Sequence, residues 1–153
     1  MVMWRPAKVV RVKVLGLAWR GERLLAAEVE ADDGRIKGVR PLGGTIEFGE
    51  TREEALAREF LEELGTRIRI TGPWLAMENI YRHEGHVGHE IIFAADVAFE
   101  DPTIADREII AFDEGGIPSR ARWFGPAELA AEGLELYPVG LRQALATDGR
   151  RWR

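Results

Sequence analysis

The chain has 153 residues, a formal charge of −5, 46% hydrophobic residues and no cysteine. That length supports a substantial core and predicts one domain over residues 1–153. The composition excludes disordered, membrane-embedded and disulfide-held classes, and the acidic balance argues against broad electrostatic binding to nucleic acid.

Lys8 to Ala18 sets Val9, Arg11 and Lys13 against Val10, Val12 and Val14, which predicts a strand. Trp19-Arg20-Gly21-Glu22 reads as a turn and Arg23 to Glu30 as the returning strand of a hairpin. Asp32-Asp33-Gly34 is a second turn, after which Ile36 to Leu42 leads as a short strand into a glycine turn at Gly43-Gly44. Arg40, just ahead of those glycines, is either within reach of a bound phosphate or a solvated strand cation.

A helix follows. Thr51 with Glu54 three residues on forms a capping box. No glycine, proline or β-branched residue interrupts the stretch to Leu64, and Gly65 sits where a left-handed cap would end it. Leu56, Phe60 and Leu64 recur every four residues as a stripe able to pack on a sheet. Beside that stripe Glu59, Glu62 and Glu63 are spaced i,i+3 and i,i+4, within an arc of roughly 100°. Three neighbouring carboxylates repel one another, and two lie near the negative end of the helix dipole. A hard divalent cation relieves this, because Mg²⁺ takes carboxylate oxygens together with water and substrate phosphates.

The stretch from Gly44 to Gly65 reads Gx5Ex7REUxEExG. In this it resembles the Nudix (MutT-type) hydrolase family. Two positions depart from the family pattern: Thr66 closes the stretch where an aliphatic residue is usual, and Phe60 is aromatic. The resemblance implies an α/β/α sandwich around a mixed β-sheet, where local pattern alone supports α+β or mixed α/β. It implies hydrolysis of a phosphoanhydride bond in a nucleoside diphosphate linked to a group X, or in a (d)NTP, by water attack at phosphorus. Mg²⁺ is the implied cofactor, with Mn²⁺ as an alternative. Glu59, Glu62 and Glu63 match the metal-binding carboxylates, and Gly43 the position whose carbonyl often completes the coordination shell. Arg58 matches the arginine that orients the box glutamates, with Glu50 as its partner. The catalytic set is then Glu59, Arg58 and Glu63, with one further carboxylate from a later loop.

Beyond the helix, Arg67 to Ile70 reads as an edge strand broken at Gly72-Pro73. Trp74 to Tyr81 and His89 to Phe99 read as strands joined by a polar loop over residues 82–88. All three histidines, His83, His86 and His89, fall in this region. They are readable as a transition-metal site, as substrate contacts together with Tyr81, or as an exposed polar hairpin. Asp106 to Ala111 continues the sheet, and Phe112 to Gly116 reads as an acidic loop before a strand at Ala121 to Phe124. In Nudix proteins a loop here often supplies another glutamate. Glu114 is the candidate, with Glu108 and Asp113 as rivals. Pro126 and Pro138 each start a helix, the second running to about Ala146, and Arg150-Arg151-Trp152-Arg153 reads as a frayed tail.

Phe48, Trp19, Trp74 and Tyr81 are aromatics able to stack on a base, or core residues. The expected partner is a small nucleotide. Dimerisation, common in the fold, leaves a homodimer open. No run approaches the length of a membrane span and MVMWRPAK lacks a signal-peptide apolar region, so no membrane association and a cytoplasmic location are expected. The alternative to an enzyme is a catalytically silent nucleotide-binding or sensor module; RNA 5′-end pyrophosphohydrolysis is a third reading, disfavoured by the acidic charge.

Overall fold

In the computed structural model, which describes residues 3–147 and 151–152, the strand from His86 to Phe99 is the spine of the sheet. Numbered in chain order, the strands are β1 (Val10–Arg20), β2 (Arg23–Glu30), β3 (Ile36–Thr45), β4 (Ile68–Ile70) and β5 (Leu75–His83). They continue with β6 (His86–Phe99), β7 (Ile109–Glu114), β8 (Ile117–Phe124) and β9 (Glu135–Leu136). The helices are α1 (Arg52–Leu64), α2 (Pro126–Glu132) and α3 (Leu141–Leu145), with a 3-10 turn at Pro102–Asp106. Along one edge of β6, β5 and β4 pair antiparallel end to end; along the other, β1 runs parallel from Val10 against His89 to Ala18 against Val97. The sheet continues through β3, β2, β8 and β7, with β9 added parallel to β3.

Each face carries its own apolar layer. On one, Ala55, Leu56 and Phe60 of α1 pack against Val14, Leu25, Leu42, Ile110 and Trp123. On the other, Leu129 of α2 and Leu141 and Leu145 of α3 cover Leu15, Leu17, Leu24 and Val39. The arrangement is an α/β/α sandwich around a mixed sheet.

Several boundaries differ from the sequence expectation, each for a non-local reason. Gly43 and Gly44 form no turn: they belong to β3, paired with Leu15 and Val14, and the chain turns instead at Phe48-Gly49. β1 runs on to Arg20, so the first hairpin turns on Gly21-Glu22 alone. The supposed polar loop 82–88 is nearly all strand, with His83 opposite His86 and only Glu84-Gly85 in the turn. Asp106 ends the 3-10 turn instead of starting a strand, and Phe112, Asp113 and Glu114 lie in β7. The turn is Gly115-Gly116, and β8 starts at Ile117, four residues before the expected Ala121. α3 begins at Leu141, after Pro138. Of the expected frayed tail, Arg150 and Arg153 lie outside the described residues. Trp152 is buried, its indole Nε1 donating to the Glu22 carbonyl at 2.7 Å and its ring edge-on to Trp19.

Candidate active site

α1 starts as its sequence requires. Thr51 caps it, accepting from the Glu54 amide at 3.1 Å while Glu54 accepts from the Thr51 amide at 3.0 Å. Gly65 ends it in the left-handed conformation at φ 66°. Burial of Ala55, Leu56 and Phe60 fixes the helix roll, and that roll decides where the carboxylates go. Glu59 turns inward with 15% of its side chain exposed, Glu62 outward with 59% exposed, and Glu63 is half-buried. Phe60, aromatic at its position, is fully buried, and Thr66 is buried as an aliphatic residue would be there.

The two glycines of β3 serve different neighbours. A side chain on Gly44 would occupy the space of the Glu59 carboxylate, so the bare backbone forms the notch that admits it. A side chain on Gly43 would overlap the Val14 carbonyl, so that glycine lets β1 approach β3. Gly43 is thereby one residue from the Glu59 contact.

Arg58 joins the pieces. Its Nε and Nη2 donate to the two oxygens of Glu50 at 2.7 and 2.9 Å, a bidentate pair. Nη1 donates to Glu59 Oε1 at 3.1 Å and reaches Glu62 Oε2 at 3.4 Å, while Nη2 also donates to the Thr45 carbonyl at 3.1 Å. The guanidinium holds Glu50 down to about 2, and the glutamates raise the Arg58 pKa in return. Glu63 behaves oppositely. Burial, then the charges of Glu114 and Glu59, push its carboxyl up to about 8, with Arg40 acting the other way.

Glu114 reaches this cluster by strand parity. Ile110 and Phe112 of β7 point into the α1-side layer, so Glu114 shares their face, and it ion-pairs with Arg40 of β3. Its rivals lie elsewhere. Asp113 is exposed on the opposite face, and Glu108, 79% exposed, pairs with Arg20 at 3.1 Å. Arg40 is therefore a paired cation, not a free one.

The histidines do not act as a group. His83 is buried against Trp4, with its Nδ1 2.7 Å from the Lys37 ammonium, so it is not an exposed substrate contact. Burial and Lys37 lower its pKa. His86 is exposed, and His89 faces the other side of β6. Asp32, His83 and Glu84 do bring ligand atoms within 4.8 Å of one another. Both Asp32 oxygens, however, are taken by Arg5 at 3.0 and 2.5 Å, so this group is internally neutralised. Tyr81 lies across Gly88, where a side chain would overlap its ring, and burial and Glu90 push its hydroxyl up to about 12. Of the other aromatics, Trp19 packs on Trp152, Trp74 donates to Glu53 at 3.1 Å, and Phe48 is fully exposed in the turn before α1. Lys13 is in the polar phase of the alternating strand β1, on the α2/α3 face of the sheet. In the fold it is half-buried, with burial lowering its pKa.

Glu59, Glu62 and Glu63 offer only carboxylate oxygens, the donor type a hard divalent cation takes, and burial with the like charges of Glu114 and Glu59 holds the Glu63 carboxyl well above its ordinary range, although the three do not converge within 4.8 Å as Asp32, His83 and Glu84 do.

Residues 9–144 match the NUDIX domain family, and the chain belongs to that family. It is 46% identical over 59 residues to the nucleoside triphosphatase NudI of Enterobacter sp. (strain 638), covering 37% of this chain. The chain thus spans about two-fifths of that relative's length, 42%. Among solved structures it is similar to the E. coli ORF135 protein, with a TM-score of 0.56 and 21% identity over 91% of this chain and 95% of that one. It is also similar to a NUDIX hydrolase from Nitrosomonas europaea, with a TM-score of 0.54 and 25% identity over 84% and 78% of the two chains. Among the described residues no helix is long and apolar enough to cross a membrane.

Proposed function

We propose that this chain is a Mg²⁺-dependent hydrolase that cleaves a phosphoanhydride bond of a nucleoside diphosphate-X compound or a (d)NTP, with water attacking phosphorus. The observation that carries this reading is the Glu59–Glu63 pair beside the Gly44 notch, where Glu63 is raised to about 8 by burial and by like charge. Family membership and the name of the NudI relative support it.

Glu59, Glu62 and Glu63 would hold the cation, with the Gly43 carbonyl completing the set. A bound divalent cation supplies charge neutralisation on the diphosphate and acidifies water at neutral pH. Arg58 orients Glu59 through its bond at 3.1 Å and is itself fixed by the bidentate Glu50 pair. Proton removal from the attacking water falls to Glu59 or Glu114, both carboxylates of the cluster. Arg40, held by Glu114, is placed to donate to phosphate oxygens once substrate displaces part of that pair.

The test is Mg²⁺-dependent hydrolysis across a nucleotide panel, with and without added phosphatase, on wild type and Glu63→Gln. Turnover by wild type, reduced on the order of 10²–10⁴-fold in the folded variant through loss of part of the cation's several kcal/mol of charge stabilisation, is expected. Phosphate seen only after phosphatase treatment identifies an NDP-X substrate, and pyrophosphate release identifies a triphosphate. Nucleotide binding without turnover on any compound overturns the enzyme reading in favour of a sensor module.

A further inference from the structure

β5 is a free edge of the sheet. It pairs only with β6, in unbroken register from Leu75 to His83, and among the described residues no other backbone bonds to it. The turn decides which of its groups face outward. Glu84 and Gly85 have positive φ, 51° and 79°, so they form a two-residue turn closed by a hydrogen-bonded pair, His83 with His86. Bonded pairs alternate along an antiparallel ladder. His83, Tyr81, Asn79 and Met77 therefore commit their backbone groups to β6, whereas Ala76, Glu78, Ile80 and Arg82 direct theirs outward. Protein edges of this length are ordinarily blunted by a proline, a bulge, a lysine or a covering segment. LAMENIYRH has no proline or lysine, its register has no bulge, and the four outward residues are exposed, Ile80 at 67%.

The side chains specify the occupant. Ala76 lies opposite Phe93 of the α1-side layer, so Glu78, Ile80 and Arg82 share that sheet face. Glu78 and Arg82 flank Ile80 at equal spacing, and among the described residues neither makes an ion pair. A second copy laid antiparallel about a two-fold axis at Ile80 sets Glu78 against Arg82 twice and Ile80 against itself. Moving the axis to Asn79 puts Glu78 on Ile80 and Arg82 on Ala76; moving it to Tyr81 brings Glu78 onto Glu84. Of the three registers, only the one centred on Ile80 is self-complementary in charge.

We infer that this chain forms a homodimer in which the β5 edges of two copies pair antiparallel about Ile80, joining their sheets into one. The inference is independent of the hydrolase reading, because no residue of the Glu59 cluster is on β5.

The experiment is sedimentation equilibrium over a dilution series. It compares wild type, Glu78→Arg, Arg82→Glu and an equimolar mixture of those two variants, with melting curves verifying each fold. Wild type is expected to approach twice the 17.2 kDa of one chain as concentration rises. Each single variant opposes like charges at both contacts and should weaken the dimer by at least about tenfold in Kd. The mixture should recover it, because every contact between the two variants then unites an arginine with a glutamate. Ile80→Pro, which deletes an outward N–H and no bond to β6, should leave a monomer. A wild type that stays monomeric throughout overturns the inference, its edge then being guarded by its own charges. A dimer indifferent to all three substitutions uses another face and overturns it too, as do charge variants that remain monomeric on mixing.

Discussion

At the scale of single residues, Glu63 gives the clearest pH signature. Its carboxyl rises from an ordinary value of 4.5 to about 8 in the fold. A raised acid folds most easily when protonated, so the cation-free protein is fully stable with respect to Glu63 below 4.5. It then loses stability as pH climbs towards 8. Melting temperatures in a chelator should therefore decline across that window for wild type and stay flatter for Glu63→Gln. Parallel profiles would mean that Glu63 is not held protonated. Glu50 has the opposite sign. Lowered to about 2 by Arg58, it supports the fold fully above 4.5, and that support is lost progressively as pH falls from 4.5 to about 2. The mutual placement of Glu50, Arg58 and Glu59 was legible in the sequence because all three belong to one short motif on and just before one helix. Lys13 was not legible: whether a strand lysine faces water or a neighbour depends on β3, which meets it only in the folded sheet.

At the scale of elements, the contrast between Gly43 and Gly44 is a test in two substitutions. Gly44→Ala would press against the end of the Glu59 side chain, which can swing aside. The expected outcome is a cation affinity reduced by at least about tenfold with the melting temperature nearly unchanged. Gly43→Ala would press on the backbone of β1, which cannot move alone, so the expected outcome is loss of stability. Equal melting temperatures for the two variants would contradict the assignment. The helix was fully legible, since cap, stripe and terminating glycine are local signals. The glycine pair was misread as a turn because its constraint comes from Val14 and Glu59, far away in sequence and invisible to local pattern. Glu114 was found in the sequence but on the wrong kind of element: Phe112-Asp113-Glu114-Gly115-Gly116 looks like loop, whereas pairing with β8 makes its first three residues strand.

For the molecule as a whole, the C-terminal segment is a clasp. Trp152 is 5% exposed, packs edge-on against Trp19 at 6.1 Å and bonds to the turn between β1 and β2. Arg151 adds a bond to the Gly21 carbonyl at 2.9 Å. Emptying such a site costs about 3–5 kcal/mol by analogy with other buried Trp→Ala changes. Trp152→Ala should therefore lower the denaturation midpoint, with the slope against denaturant unchanged. A midpoint within error of wild type would show the clasp to be ornamental. The sequence suggested a frayed tail because a basic run at a chain end usually is one, and nothing local marks the single indole that anchors it.

The cluster around Glu59 draws on three separate stretches: the Gly44 notch in β3, the helix, and Glu114 at the end of β7. Among the described residues β7 joins the sheet only through β8, and β8 in turn pairs with β2. During synthesis, then, the box helix emerges from the ribosome long before the strand that completes its charge environment. A nascent chain ending near residue 100 would carry every glutamate of the motif and still lack the Arg40–Glu114 pair. If Glu59, Glu62 and Glu63 hold a cation as proposed, its affinity serves as a clock for maturation, rising late and in step with docking of the β7–β8 hairpin, not with formation of the helix that carries them.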